Sequence, residues 1–329
     1  MRLLAALCFL CTAFGLQAQA QDGTWPSQSV RVIVPFPAGG PADIIARFVS
    51  ERLAQTFGQS FIIENRPGAN TAIAAAQVAK APPNGYTLLV VMDVTMVLNP
   101  LTVKTLSYDP QRDFAPISLL AKNATLLTVH ADGPKTVAEL IAKAKATPAK
   151  LNFGAGILTT RLAGELFARE SGFSVQYVPF QGSPPTVQAL LSKSVDFIID
   201  GQASSLPLIQ AGTFRALAKS NRGPVPPLPH LKSFAEETGS AALEDISTWI
   251  GLVAPTGTSQ VIIEKLQAEI ARIYAEPGMT ARLLEIGITP AANKPSEFTE
   301  FMRNESQRWG KVIRDSGDRK STRLNSSHS

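Results

Sequence analysis

The chain has 329 residues, with 31 Lys and Arg, 26 Asp and Glu, three His, two Cys and a formal net charge of +5. Both cysteines, Cys8 and Cys11, fall in the N-terminal segment, so the rest of the chain has no thiol nucleophile, thiolate metal site or disulfide. Without residues 1–20 and 318–329, set aside below, 27 basic residues face 25 acidic ones, too even a balance to indicate nucleic acid or an anionic membrane surface as partner.

Residues 1–20, MRLLAALCFLCTAFGLQAQA, carry one positive charge, an apolar core from Leu3 to Leu16 and Ala18-Gln19-Ala20 before Gln21. That is the pattern of a cleaved secretory signal peptide and implies export to the periplasm. The apolar core is short for a membrane span, which needs about 20 residues. Neither cysteine follows the small residue that a lipoprotein site requires.

From there apolar, β-rich runs alternate with helical patterns. VRVIV (30–34) precedes a helix with the apolar stripe Ile44, Ile45, Phe48, Val49 and Leu53. FIIEN (61–65) leads to an Ala-rich helix near 70–80, and YTLLVVM (86–92) is a third strand. The pattern predicts β/α units around a mostly parallel sheet. PISLLAKNATLLTVHA (116–131) reads as one long strand, and Thr136 with Glu139 as a capping box. LNF, TTRLAGELFARE, SVQYV, PPTVQALLS, VDFIID and FRALAK continue the alternation as a second lobe, up to the Pro-rich GPVPPLPHL. STWIGLVAP (247–255) reads as a strand returning to the first lobe, and helices near 258–275, 279–286 and 295–314 follow. The last segment, DRKSTRLNSSHS (318–329), has no periodicity and reads as translated sequencing adapter.

The motif that raises the functional question is VPFPAGGPAD (34–43), where a strand passes through a Gly-Gly turn into a helix. It lacks the Lys-Ser/Thr of a P-loop and the GxGxxG of a dinucleotide site. What it offers is a backbone anion site: Gly39 and Gly40 allow close approach, Pro41 suits the first helical position, and the free amides of the first turn favour a negative group. Asp43 competes for those amides or pairs with Arg47. VPFQGSPP (178–185) echoes the motif in the second lobe and would aim a second helix start at the same cleft.

Enzyme signatures are scarce. His130 ends a strand and His230 sits in the Pro-rich connector, both read as solvated surface; His328 lies in the suspect tail. There is no HExxH, GxSxG or SxxK. Asp93, Asp196 and Asp200 lie at strand ends without a paired-carboxylate pattern.

On these residues the chain resembles the Bug-type receptors, the periplasmic solute-binding proteins of tripartite tricarboxylate transporters. The likeness runs in order from WPSQSVRVIVPFPAGGPADIIAR through ENRPGANTAIAAAQVAKAPPNGYTLL, DFAPISLLA, VPFQG, ALLSKSVDFIID and STWIGLVAPTGT to EFTEFMRNESQRWGKVI, spanning 25–317. The resemblance implies an α/β, type II periplasmic-binding fold of two lobes around a ligand cleft, with no catalysis, no cofactor and no metal. It implies lobe 1 at 21–123 and 249–317 and lobe 2 at 124–248. The implied ligand site comprises Phe36, Ala38, Gly39 and Gly40; Ala69, Asn70 and Thr71; Asp93 and Thr95; Gly154, Ala155 and Gly156; Phe180, Gly182 and Asp200. The loop GAGILTTRLAGE departs from the family, being shorter, placing Ile157 and Leu158 in the loop and Arg161 where a histidine is usual. Thr159 and Arg161 are added to the site on that account, Arg161 as a candidate for a second carboxylate. The expectation is a monomer that carries a small organic acid to integral-membrane transporter subunits and binds no nucleic acid. A sensor for a membrane signalling partner and a periplasmic hydrolase on the same scaffold are the alternatives.

Overall fold

The computed structural model describes residues 25–146, 150–221, 223 and 225–315; the segments 1–20 and 318–329, read from the sequence as a signal peptide and as adapter, lie outside them. The chain begins with β1 (Val30–Val34), α1 (Pro41–Phe57), β2 (Phe61–Asn65), α2 (Ala72–Ala79) and β3 (Thr87–Met92). A buried wide helical turn, Val94–Leu98, runs into the short α3 (Asn99–Thr102) and then β4 (Phe114–Asn123). The chain then crosses to a second sheet: β5 (Thr125–His130), α4 (Val137–Ala146), β6 (Leu151–Ala155), α5 (Leu158–Glu170), β7 (Val175–Pro179), α6 (Ser183–Leu191), β8 (Phe197–Gly201), α7 (Gln202–Gln210) and β9 (Phe214–Lys219). After α8 (Phe234–Thr238) it returns as β10 (Thr248–Pro255), followed by α9 (Gln260–Tyr274), α10 (Met279–Glu285), β11 (Thr289–Pro290) and α11 (Pro295–Asp315).

The first sheet has the order β11-β4-β10-β3-β1-β2 and the second β7-β6-β8-β5-β9. Both are mixed, which corrects the expectation of a mostly parallel sheet. β1 pairs in parallel with β2 and β3, and β6 with β7 and β8, as β/α units require. The strands that carry the chain between lobes run the other way: β10 is antiparallel to β3 and β4, and β5 to β8 and β9. A crossing strand arrives from the opposite lobe without a helix on its own sheet, so the right-handed βαβ rule does not govern its direction.

The single strand expected over 116–131 is two strands in two sheets, divided at Ala124. Lys122 and Asn123 weaken the strand pattern only briefly; the change of sheet is set by pairing, with Asn123 opposite Thr248 and Thr125 opposite Gly201. At α4, Thr136 Oγ1 accepts from the Glu139 amide, while Glu139 Oε2 reaches the amide of Lys135 instead of that of Thr136.

Each helix buries the stripe that the period 3.6 predicts. On α1, Ile45, Val49 and Leu53 are fully covered, while Ile44 and Phe48 are half-buried at the edge. On α9, Ile262, Leu266, Ile270 and Ile273 face the same core. Each such side chain contributes about 1.5–3 kcal/mol of burial. A second cluster extends from Ile33, Leu89 and Val91 through Met96 and Val97 to Leu127, Phe153 and Phe197, so apolar packing is continuous from one lobe to the other.

Candidate functional site

The β1–α1 turn is shaped by a buried acid. Asp43, in the first turn of α1, turns its carboxylate away from the amides of its own helix. Oδ2 accepts from the Gly39 amide at 2.9 Å and from Arg47 Nε at 2.9 Å, and Oδ1 accepts from Asn65 Nδ2 at 2.9 Å. Asn65, at the end of β2, also donates to the Phe36 carbonyl at 2.9 Å. Burial raises the Asp43 carboxyl, but hydrogen bonds from Arg47, Gly39 and Asn65 outweigh it and hold the group below the usual carboxylate range. Gly39 has φ +84°, a value that favours glycine. Gly40 is the N-cap in extended geometry, with no side-chain cap, and its carbonyl accepts from the Ile44 amide. Pro41 has no N–H to leave unpaired. The amides of Ala42 and Asp43 are therefore the free donors at the positive end of a 17-residue helix.

The second lobe supplies the facing turn. The loop after β6 meets the loop after β7, where Gly182 donates to the Gly156 carbonyl at 2.9 Å and Phe180 to that of Ala155 at 3.1 Å. A Cβ on Gly156 would lie 2.3 Å from the Gly182 oxygen, so only glycine permits this approach. Gly182 caps α6, whose second and third residues are Pro184 and Pro185, leaving few donors at this helix start. Ser183 Oγ instead donates to Asp200 Oδ1 at 2.6 Å.

These two turns enclose a cavity of about 390 Å³ counting its open mouth. Phe36, Pro37, Gly40, Pro41, Ala42 and Met92 line it from the first lobe; Ile157, Thr160, Gly182, Ser183, Asp200 and Gly201 from the second; and Thr248 from the returning strand. The lobes are closed against each other. A Cβ on Gly201 would lie 2.7 Å from Pro41 Cγ, and one on Gly182 3.0 Å from Pro37 Cδ. Thr159 Oγ1, at the start of α5, donates across the interface to Asp93 Oδ2 at the end of β3.

Both interlobe acids are fully buried. Burial pushes Asp93 up to about 7 against the hydrogen bond from Thr159; Glu305 raises it further, and its own backbone amide and Arg308 act to lower it. Burial likewise pushes Asp200 up to about 7 against the Ser183 hydroxyl and the Gly201 amide. Asp93 Oδ1 and Asp200 Oδ2 have no hydrogen-bond partner.

Of the residues expected from sequence, Phe36, Gly40, Gly182 and Asp200 line the cavity, with Ala38 and Gly39 in the turn behind them. Asp93 and Thr159 join the lobes at a buried contact outside its wall. Thr71 and Thr95 are buried in a separate network, which the carbonyl of exposed Asn70 joins, and Ala69 is exposed beside it. Asn99 Nδ2 donates to the Asn70 carbonyl, to Thr71 Oγ1 and to the Tyr108 hydroxyl, and that hydroxyl donates to the Thr95 carbonyl at 2.5 Å. Residues 69–71 all have positive φ, a left-handed turn that this network holds. Gly154 and Ala155 are the buried last two residues of β6, and Phe180 packs against the cluster that contains Val187, Leu190 and Ile198. Arg161 does not reach the cavity: it pairs with Glu165 at 2.8 Å and lies 5.0 Å over the Tyr177 ring. Sequence reading missed Pro37, Met92, Thr160, Ser183 and Thr248; Met92 directly precedes Asp93 and Ser183 directly follows Gly182, which was the available signal. Among the described residues no group of three or more His, Cys, Asp or Glu is placed to hold a metal ion, and no helix is long and apolar enough to cross a membrane.

Comparison with known proteins adds the context. Residues 45–317 match the model of the tripartite tricarboxylate transporter family receptor. The chain is 34% identical over 315 residues to a protein from the tcbD–tcbE intergenic region of Pseudomonas sp. (strain P51), covering 95% of this chain and 93% of that one. It is 29% identical to BugT of Bordetella pertussis, covering 96% of this chain and 98% of BugT. Among solved structures it is similar to R. palustris Rpa4515 with adipate, at 36% identity and TM-score 0.85 over 89% of this chain and 98% of that one. It is also similar to MatC from Rhodopseudomonas palustris with bound malate, at 30% identity and TM-score 0.80 over 88% and 100%.

Proposed function

The chain belongs to the tripartite tricarboxylate transporter receptor family, and from that premise we propose that it captures a small carboxylate in the interlobe cavity and presents the closed form to the membrane subunits of such a transporter. One observation carries the reading. The positive end of α1, with the amides of Ala42 and Asp43 uncapped, opens on a cavity that two lobes close. Adipate and malate in the related structures support a carboxylate as the class of ligand.

The ligand carboxylate takes the α1 amides in place of water. Apolar walls at Phe36, Pro37, Met92 and Ile157 keep the local dielectric low, so these hydrogen bonds are stronger than they would be at an exposed helix end. Gly39 and Asp43 act by fixing the turn, and the network around Asn99 holds the segment 69–71. Closure then shifts the population toward the form joined by Asp93 and Thr159. The protein works as a monomer in the periplasm after loss of residues 1–20, binding without chemical turnover.

The test is a thermal-shift screen of mono-, di- and tricarboxylates on the chain from Gln21, followed by calorimetry. At least one acid is expected to bind at a single site and raise the melting temperature. Gly39→Val should abolish that binding. Its Cβ would meet nothing closer than Pro184 Cγ at 3.9 Å, so the cost is the positive φ, about 1–2 kcal/mol, and the chain still folds. A native protein that binds no carboxylate at millimolar concentration would sink the reading.

A further inference from the structure

Resting on that reading, we propose that the cavity takes a carboxylate with a bare hydrocarbon body in preference to a hydroxylated one of the same size and charge, and that Ile157 sets the preference. Apart from the α1 amides, the wall offers a ligand little but carbon. Its three hydroxyls are engaged within the protein: Thr160 Oγ1 donates to the Ile157 carbonyl at 3.1 Å, Ser183 Oγ to Asp200 Oδ1 at 2.6 Å and Thr248 Oγ1 to the Asn123 carbonyl at 3.5 Å. Thr160 and Thr248 are 1% and 3% exposed, which leaves almost no surface for a second partner. Asp200, the one acid in the wall, has Oδ1 taken by Ser183 and Oδ2 covered. The Gly182 amide is spent on the Gly156 carbonyl, and the Gly182 carbonyl on Thr186 Oγ1. Among the described residues no Lys, Arg, His, Asn or Gln lines the cavity. What remains is carbon, from Phe36, Pro37, Pro41, Met92 and Ile157.

Ile157 stands where local stability asks for something else. It is the N-cap of α5, in extended geometry and with no side-chain cap. Ser, Thr, Asn or Asp stabilises a helix at that position. The chain gives this up for an isoleucine that is half-buried, lines the cavity and packs against the cluster containing Phe36 and Met92 of the first lobe. A local rule is broken where the lobes meet over the cavity, the kind of place at which function overrides local preference. A ligand hydroxyl laid against this wall loses its water and gains no partner, whereas a methyl in the same place buries apolar area.

The experiment is calorimetry on the native chain from Gln21 with matched pairs of acids: 3-methylbutyrate and 3-hydroxybutyrate, methylsuccinate and malate, 3-methyladipate and 3-hydroxyadipate. Within each pair only a methyl is exchanged for a hydroxyl, so length and charge are constant. In the pair that binds best, the methyl acid should bind at least about tenfold tighter than the hydroxy acid. Ile157→Thr puts a hydroxyl at a position where threonine caps the helix, so the variant folds, and it should narrow that gap by about fivefold or more. Ile157→Val keeps the wall apolar and should hold the gap within about twofold of the native one. A hydroxy acid that binds the native chain as tightly as its methyl partner overturns this inference alone. So does a gap that Ile157→Thr leaves in place, or one that Ile157→Val narrows as far. Silence from every acid overturns it together with the carboxylate reading.

Discussion

The two strand–turn–helix units that face each other across the cavity share the letters Val-Pro-Phe and a glycine, yet they present opposite chemistry. In the first, proline stands only at the opening helical position, where it costs no donor, and Asp43 ties the turn from behind so that two amides stay free. In the second, prolines follow at the next two positions, and the serine between glycine and proline turns its hydroxyl to a buried aspartate. One unit is a donor for an anion; the other is a support for an acceptor. A shared motif therefore fixes where a helix points, while the residues one and two positions inside the helix fix the charge it welcomes.

Four perturbations probe this contrast. The largest effect is expected from Asp43→Ala, which breaks the donor turn by stranding the Gly39 amide, Asn65 and Arg47 at once. It should lower stability by about 3 kcal/mol in urea titration and weaken ligand binding in parallel.

The next concerns the acids of the closed interface. Asp93 and Asp200 titrate near 7 in the fold against 3.8 when free, so between about pH 4 and 7 the folded chain holds protons that the unfolded chain has released. Stability should thus fall as pH rises through that window and level off above about 7. Glu64, held at about 2 first by the hydrogen bond from Arg31, contributes in the opposite sense, but only in more acidic solution. Urea midpoints at about pH 5.5 and 8 measure the difference, and Asp200→Asn should reduce it.

Thr159→Val removes the donor across the lobes while preserving shape. Closure should weaken by about 1–1.5 kcal/mol, seen as a roughly tenfold loss of apparent affinity and a larger ligand-free radius in solution scattering. Arg161→Ala should do least. Ligand affinity should stay within about twofold and stability within about 1 kcal/mol, because the lost contacts are a half-exposed ion pair and a ring contact.

Most of the fold was legible in the chain, because strands such as VRVIV and FIIEN and the stripe on α9 are dictated by local periodicity. What periodicity could not convey was non-local. In PISLLAKNATLLTVHA only Lys122 and Asn123, two weak strand formers between apolar runs, stand at the change of sheet near Ala124, and the break itself is made by partners far along the chain. The site divides in the same way. Gly40 and Gly182 announce themselves as turn residues, and Asp200 as an acid ending an apolar strand. Met92 and Ser183 look like an ordinary strand residue and an ordinary helix-start residue until two lobes are brought together. Arg161 illustrates the converse: its position suggested a ligand contact, and a glutamate one turn along its own helix claims it.

The place of β10 in the first sheet has a consequence for the order of assembly. It lies between β3 and β4, at the centre of that sheet, although its residues come after the whole second sheet in the chain. During synthesis from the N-terminus, β3 and β4 lack their common partner until residues 248–255 have emerged, whereas β5 to β9 are complete by residue 219. The lobe that starts first is thus the one that finishes last, and the long wait for a central strand makes its folding slow and dependent on distant contacts.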